Sequence, residues 1–139
     1  MEITRESDYA IRCVLYLSGK PGDIVMVDEI AREMEIPKSF LAKILQKLNK
    51  SGLVKSYRGI KGGFQLARSP REVTLLDVVE AVEGPVALNS CVIDKSVCGR
   101  SSTCGVHHVW ADVRADFREI LKKYTFERLA PASASLRQQ

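Results

Sequence analysis

The sequence lacks any apolar run long enough to cross a membrane. Its first ten residues, MEITRESDYA, also lack the apolar core and the small-residue cleavage site of a secretory signal peptide. We therefore expect a cytoplasmic protein with no membrane partner. With 139 residues, 45% of them apolar, the chain can bury one ordinary core and carry an extension, but it is too short for two full domains.

Acidic residues are absent from one long stretch of the chain. Residues 38–71 contain nine of the 21 basic residues and none of the 17 acidic residues. A solvated lysine-rich helix face is usually interspersed with acids, whereas a contiguous basic segment is typical of a protein that binds the phosphate backbone of nucleic acid. This segment is therefore predicted to bind DNA.

The spacing of apolar residues predicts three helices in the first half of the chain. Thr4 caps a helix that runs to about Ser18, a short second helix covers residues 28–35, and a third covers residues 38–50. Two short helices with a tight connection are the features of a helix-turn-helix, in which the second helix reads DNA. We expect the polar face of the third helix to provide the DNA contacts Lys38, Ser39, Lys43, Gln46 and Lys47.

A glycine cluster follows the predicted helix-turn-helix. The sequence predicts two strands, over residues 53–58 and 64–67, which are joined by Gly59-Ile60-Lys61-Gly62-Gly63. The cluster lacks the Gly-Lys-Ser/Thr sequence of a nucleotide-binding loop. A basic hairpin in this place is instead typical of a wing, with Arg58 and Lys61 at its tip beside the minor groove.

The remainder of the chain predicts two more helices and a tail. Thr74 and Asp77, at the spacing of a capping box, begin the first of these helices, which runs to Glu83. Apolar residues recur at steps of four and three over residues 106–124, which is a heptad-like seam, and a long helix in so small a chain favours a homodimer. The expected fold class is mainly α with a small β hairpin. Its parts are a winged helix-turn-helix domain over residues 1–85, a cysteine loop over 86–106, a dimerisation helix over 107–130 and a flexible tail over 131–139.

Three of the four cysteines, Cys91, Cys98 and Cys104, lie within fourteen residues, and two residues separate Cys104 from His107. The glycines and serines between them are turn formers, so the backbone can bring soft thiolate ligands to one centre. Four cysteines in a cytoplasmic chain favour metal or redox chemistry over a disulfide framework. Cys13 falls instead on the apolar stripe of the first helix and is predicted to be a core residue.

Several kinds of chemistry are compatible with this cysteine loop. Zinc is one alternative, since three cysteines and a histidine form a tetrahedral set, although the paired two-residue cysteine spacing of many zinc sites is absent. A thiol–disulfide switch is another. No enzyme is expected, because a Cys104–His107 nucleophile–base pair would lack a third orienting group and an oxyanion-hole motif.

Over residues 1 to about 130 the order of parts resembles the IscR/NsrR/RirA family of winged-helix iron–sulfur transcription regulators. The resemblance rests on SDYAIR near the start, on RGIKGGFQLAR in the predicted wing and on the three spaced cysteines before a long helix. It implies a homodimer that binds a palindromic operator in double-stranded DNA. It also implies control by an iron–sulfur cluster, 2Fe-2S or 4Fe-4S, that senses iron or cluster status, nitric oxide or redox state.

The same resemblance implies the cluster ligands. Cys91, Cys98 and Cys104 would hold the cluster, and the candidates for the fourth ligand are His107 and Asp8, with His108 as a third option. Members similar to IscR use a histidine at the position of His107, and members similar to NsrR use an aspartate from the other subunit at the position of Asp8. The sequence also departs from IscR, because the first cysteine gap is one residue longer and an alanine replaces a glutamate in the predicted recognition helix.

Overall fold

The computed structural model describes residues 2–137 of the chain. It is mainly helical with one two-stranded antiparallel sheet, as the sequence predicted. Two short 3-10 turns, Ser90–Val92 and Lys95–Val97, lie within the cysteine loop. The helices and strands in chain order are α1 (Arg5–Ser18), α2 (Val27–Glu33), α3 (Lys38–Lys50), β1 (Val54–Tyr57), β2 (Gly63–Leu66), α4 (Leu75–Glu83), α5 (His107–Lys122) and α6 (Phe126–Arg137).

Helix α1 begins where its cap was predicted. The Thr4 side chain accepts a hydrogen bond from the Ser7 backbone N–H at 3.1 Å, which satisfies one of the free donors of the first turn. Four apolar residues of this helix are fully or almost fully buried, at the spacing of one helix face: Ala10, Cys13, Val14 and Leu17. Helix α1 is thus the central element against which α3, α4 and α6 pack.

The helix-turn-helix is formed by α2 and α3. Helix α2 begins one residue earlier and ends two residues earlier than predicted, because Glu35 adopts a positive φ of 54° in the turn. The bounds of α3 agree with the prediction, and its core residues are Leu41, Ile44, Leu45 and Leu48. The neighbouring Phe40 is 45% exposed, and its ring packs edge-on against Tyr9 of α1.

The hairpin of β1 and β2 is anchored to the rest of the domain through Val25. The backbone N–H groups of Val25 and Phe64 each donate to the other residue's carbonyl at 2.8 Å. This isolated antiparallel bridge places Val25 beside β2. A Cβ atom at Gly63 would overlap the Val25 carbonyl, so this close approach requires glycine. The base of the predicted wing is therefore fixed.

Helix α4 carries the capping box that its sequence predicted. The Thr74 hydroxyl accepts from the Asp77 backbone N–H at 3.2 Å, and the Asp77 carboxylate accepts from the Thr74 N–H at 2.9 Å. At its other end the Glu83 carboxylate accepts hydrogen bonds from the hydroxyls of Ser7 and Thr4. Helix α4 is thereby attached to the N-terminal end of α1.

The C-terminal segment differs from the expected single helix over residues 107–130. Helix α5 ends at Lys122, and a separate helix α6 begins at Phe126. The break arises because the chain pairs with the segment before α4: Leu75 donates to the Tyr124 carbonyl and Phe126 to the Val73 carbonyl, both at 2.9 Å. Phe126 is completely buried in the main hydrophobic core.

The backbone of α6 continues past the expected start of the flexible tail. Residues 131–137 are helical, because the helix nucleated at Phe126 extends through Pro131, whereas residues 138–139 lie outside the described part of the chain. Helix α5 differs from the helices before it in burying none of its residues. Within residues 2–137, no helix is both long enough and apolar enough to span a membrane.

Candidate functional site

Helix α3 presents the predicted DNA contacts on the face opposite its core residues. Lys38, Ser39, Lys43 and Gln46 are exposed, and Lys47 is half-buried. This arrangement follows from the amphipathic sequence of α3, whose four apolar core residues hold the helix against the domain. The basic face is open to a negatively charged ligand.

Two of the predicted lysine contacts are already paired with acids of neighbouring helices. The Lys38 ammonium pairs with the Asp28 carboxylate of α2. The Lys47 ammonium lies 2.8 Å from the Glu6 carboxylate of α1 and donates to the Val82 carbonyl of α4 at 3.5 Å. Because ion pairs exposed to water contribute little free energy, a phosphate group competes readily for these lysines.

The wing places the other two predicted DNA contacts together. Arg58 and Lys61 lie in the connection between β1 and β2, and both are exposed. A hydrogen bond of 3.0 Å from the Gly62 N–H to the Gly59 carbonyl closes this turn. The hairpin thus carries two cations at its tip, which is the charge arrangement that the minor groove attracts.

Arg12 is a functional candidate that the sequence analysis did not identify. Its guanidinium lies 2.9 Å from the Asp8 carboxylate, and it also donates to the Met34 carbonyl at 3.3 Å. The same group lies 5.3 Å from the centroid of the Tyr9 ring, which packs edge-on against Phe40 of α3. Asp8 is therefore connected to the turn that precedes the recognition helix. The four-residue spacing of Asp8 and Arg12 is the signal in the sequence from which their pairing could have been predicted.

The cysteine loop folds as a series of turns between α4 and α5. Cys91 lies in the first 3-10 turn and is buried, whereas Cys98 and Cys104 are half-buried. The Ser101 hydroxyl donates to the Cys98 carbonyl at 2.9 Å, and the His107 N–H donates to the Cys104 carbonyl at 3.3 Å. All three thiols are free.

Cys98 and His107 line the same cavity, which has a volume of about 280 Å³. Nδ1 of His107 is buried, and it has no hydrogen-bond partner among the residues described. A buried polar atom without a partner is costly, and a metal ion would satisfy a neutral imidazole nitrogen at this place. The other residues around the cavity are Lys95, Gly99, Ser101 and Ser102.

The predicted ligands are not all brought together. Within the described part of the chain, no group of three histidine, cysteine, aspartate or glutamate side chains is arranged to hold a metal ion. Asp8 is engaged by Arg12 rather than by the cysteine loop of its own chain. The donor set of three free thiols and an unpartnered imidazole nitrogen nevertheless suits iron–sulfur or zinc ligation in its chemistry.

Cys13 is separate from this centre. Its thiol is completely buried in the core, and burial raises the pKa of this thiol to about 12. A thiol held protonated in an apolar core is neither a metal ligand nor a reactive nucleophile at neutral pH. The structure therefore divides the four cysteines into one core residue and three loop residues.

Comparisons with known proteins point to a single family. The profile described as "Rrf2: Iron-dependent Transcriptional regulator" matches residues 3–132. The chain is 34% identical over 133 residues to Protein aau3 of Rhizobium meliloti, covering 95% of this chain and 86% of that protein. It is 30% identical over 131 residues to the HTH-type transcriptional regulator NsrR of Bacillus subtilis, covering 93% and 90% respectively.

Solved structures show the same fold. CymR of B. subtilis, described as the global cysteine regulator, superposes with a TM-score of 0.75 at 26% identity, covering 95% of this chain and 98% of CymR. IscR of T. potens also superposes with a TM-score of 0.75, covering 96% of this chain and 88% of that chain. Because the sequence identity between this chain and T. potens IscR is 24%, the superposition with IscR shows a shared fold only.

Proposed function

The chain belongs to the Rrf2 family of DNA-binding transcriptional regulators and is not an enzyme, and from this premise we propose that an iron–sulfur cluster controls its binding to DNA. The active species is a cytoplasmic homodimer that binds a palindromic operator. The observation that carries the proposal is the buried Nδ1 of His107, which has no partner in the described chain and belongs to a residue that lines one cavity with Cys98.

Cys91, Cys98 and Cys104 would hold the cluster through their thiolates. The unpartnered Nδ1 favours His107 over Asp8 of the partner subunit as the fourth ligand, because Asp8 already has a cationic partner in Arg12. When bound, a cluster with one nitrogen ligand supplies a redox-active iron that is more exchangeable than one held by thiolates alone. Such an iron is suited to sensing iron status, nitric oxide or redox state.

Dimerisation is supported by the exposed apolar stripe of α5. None of its residues is buried, although Val109, Phe117 and Ile120 are large apolar side chains that are each 41–51% exposed. A helix with an apolar face that residues 2–131 leave uncovered requires a partner, and a second copy of α5 has the matching heptad-like pattern. The two α3 helices would then enter successive major grooves, about 34 Å apart.

The contacts of α4 connect the cysteine loop to the predicted recognition helix α3, so a rearrangement of the loop can change the position of α3. The loop directly follows α4, and the Lys47 ammonium of α3 donates to the Val82 carbonyl in the last turn of α4. A rearrangement of the loop would therefore move the end of α4 and alter the position of α3. Since both α3 helices must fit the groove spacing together, a small rotation in each subunit changes operator affinity.

Anaerobic purification tests this proposal. Iron and acid-labile sulfide would be measured in wild type, in the single variants Cys91→Ala, Cys98→Ala and Cys104→Ala, and in Cys13→Ala as the matched control. We expect iron and sulfide in wild type and Cys13→Ala, and their loss in the three loop variants. Duplexes selected by the wild-type protein from a random-sequence pool then report DNA affinity with and without the cluster.

Three results would overturn the proposal. Zinc without sulfide would establish the alternative of a zinc-binding winged-helix regulator. Neither metal, together with DNA affinity that depends on the oxidation of the loop thiols, would establish the alternative of a thiol-redox regulator. Affinity for the selected duplex that is the same with and without the cluster would also contradict cluster control.

A further inference from the structure

The isoleucine at the tip of the wing is far more exposed than other apolar side chains. Ile60 is 98% exposed, whereas the next most exposed large apolar side chains in the described chain, Ile3 and Val97, are each 60% exposed. Such exposure leaves almost the whole side chain in water, which is unfavourable for an aliphatic group. No packing interaction within the fold accounts for an isoleucine at this place.

The wing holds Ile60 on a fixed support. The base of the hairpin is anchored by the paired hydrogen bonds between Val25 and Phe64, and the Tyr57 hydroxyl donates to Gln65 Oε1 across the strands at 2.8 Å. Gly59, directly before Ile60, has a φ of 102°, which L-residues with side chains rarely adopt. The anchored base and the hydrogen bond from the Gly62 N–H to the Gly59 carbonyl restrict the turn, which limits the conformational entropy lost when Ile60 binds.

The charges around Ile60 identify the partner as DNA. Arg58 and Lys61 flank it, both are exposed, and residues 38–71 contain no acid that would repel phosphate. Exposed cations on either side of an apolar tip match a groove with phosphates along both walls and sugar C–H groups inside. An apolar protein partner would not explain the two flanking cations.

We propose that Ile60 enters the minor groove of the operator as an apolar contact and favours A·T base pairs there. The inference rests on the proposed DNA binding and adds a residue that sets sequence preference. In the minor groove a G·C pair carries an amino donor that A·T pairs lack. An aliphatic side chain cannot accept a hydrogen bond from that amino group, so contact with G·C would leave a buried donor unsatisfied.

The test uses a duplex selected by the wild-type protein from a random-sequence pool. Hydroxyl-radical footprints of wild type and Arg58→Ala identify the minor-groove positions that the wing covers. At those positions A·T pairs are replaced by G·C pairs, and separately by inosine·C pairs, which lack the minor-groove amino group. The affinities of wild type and Ile60→Ala are measured on all three duplexes. Together they form a double-mutant cycle, which gives the coupling free energy between the Ile60 side chain and the base pair.

We expect Ile60→Ala to weaken binding to the A·T duplex about fivefold to tenfold, the size expected for losing a buried aliphatic contact. Wild type should bind the G·C duplex about tenfold more weakly than the A·T duplex, and inosine·C should restore most of that loss. Ile60→Ala should distinguish the A·T and G·C duplexes by less than about threefold, because the contact that senses the amino group is gone.

Salt dependence separates an apolar contact from a general disturbance of the wing. Ile60→Ala removes no charge, so the slope of log affinity against log salt should stay unchanged, whereas Lys61→Ala should reduce it by about one. Ile24→Ala, which truncates an exposed isoleucine outside the wing, is the matched control and should bind as wild type. Circular dichroism verifies that each variant is folded.

Equal discrimination between A·T and G·C by wild type and Ile60→Ala would overturn the inference. So would the absence of any A·T preference in wild type, or an Ile60→Ala affinity equal to that of wild type. These outcomes leave the proposed function intact as long as Arg58→Ala weakens binding. Failure of the wild-type protein to select any duplex would instead refute the proposed DNA binding itself.

Discussion

The Lys47 ammonium of the recognition helix lies 2.8 Å from the Glu6 carboxylate of α1. The sequence predicted Lys47 as a DNA contact, and the fold places an acid beside it that is 41 positions away in the chain. In the free protein this acid neutralises part of the basic face of α3. Glu6 therefore lowers the attraction of α3 for phosphate in the free protein, and DNA bound at Lys47 would displace it.

Replacing Glu6 by glutamine should raise affinity for DNA. Glu6→Gln removes one negative charge from the edge of the basic face and frees Lys47, so we expect about twofold to fivefold tighter binding near 0.1 M salt and a steeper salt slope. Fluorescence anisotropy with selected and random duplexes measures both. Glu119→Gln, which removes an acid paired with Lys122 on α5, is the control. Unchanged or weaker binding by Glu6→Gln would contradict this role.

Substitutions of the adjacent residues His107 and His108 should differ in their effect on bound iron. His107 carries the buried, unpartnered Nδ1, whereas His108 is exposed. We expect His107→Ala to alter the visible absorption of the anaerobically purified protein and to lower its iron content, and His108→Ala to match wild type. If Asp8→Ala loses iron while His107→Ala retains it, the fourth ligand is Asp8 of the partner subunit.

Burial of Phe126 attaches the C-terminal segment to the DNA-binding domain. Phe126 is completely buried, so Phe126→Ala should leave a cavity and lower the free energy of unfolding by about 3–5 kcal/mol. Urea denaturation followed by circular dichroism measures this. A loss below about 1 kcal/mol would show that α6 is not part of the folded core.

Phe117 provides a contrasting prediction in α5. It is 41% exposed in the single chain, so Phe117→Ala should change the unfolding of the monomer little. Because Phe117 lies on the apolar stripe proposed as the dimer contact, we expect the variant to dissociate at higher protein concentration than wild type. Sedimentation velocity over a dilution series makes the comparison. Identical dissociation of the two proteins would place the dimer contact elsewhere.

Stability in acid should depend on Glu83. Hydrogen bonds from the Ser7 and Thr4 hydroxyls lower the pKa of this carboxyl below its ordinary value of 4.5. A pKa lowered in the folded state gives stability that is present above the unfolded value and is lost as pH falls through the folded value. The stability difference between wild type and Glu83→Gln should therefore be constant near pH 7 and shrink below about pH 4.5. Urea midpoints measured from pH 3 to pH 7 test this, and a difference that grows toward acid would contradict it.

Much of the fold could be predicted because its signals are local. Thr4, Thr74 and Asp77 make the cap contacts expected of them, and the bounds of α3 agree with the apolar spacing. A helix cap and a helix face depend on residues within a few positions of one another, so the sequence contains the needed information. The break between α5 and α6 could not be predicted in this way, because it depends on backbone pairing of residues 124–126 with residues 73–75.

The candidate site shows the same difference between features that are local in the sequence and features that depend on tertiary contacts. By itself the sequence determined which chemical groups are available: a basic helix, a basic wing, three loop cysteines and a histidine. Only the tertiary structure decided that Glu6 pairs with Lys47, that Arg12 joins Asp8 to the turn before α3, and that His107 and Cys98 share a cavity. The reason is that these contacts join separate elements, and their geometry is fixed by how the helices pack rather than by spacing along the chain.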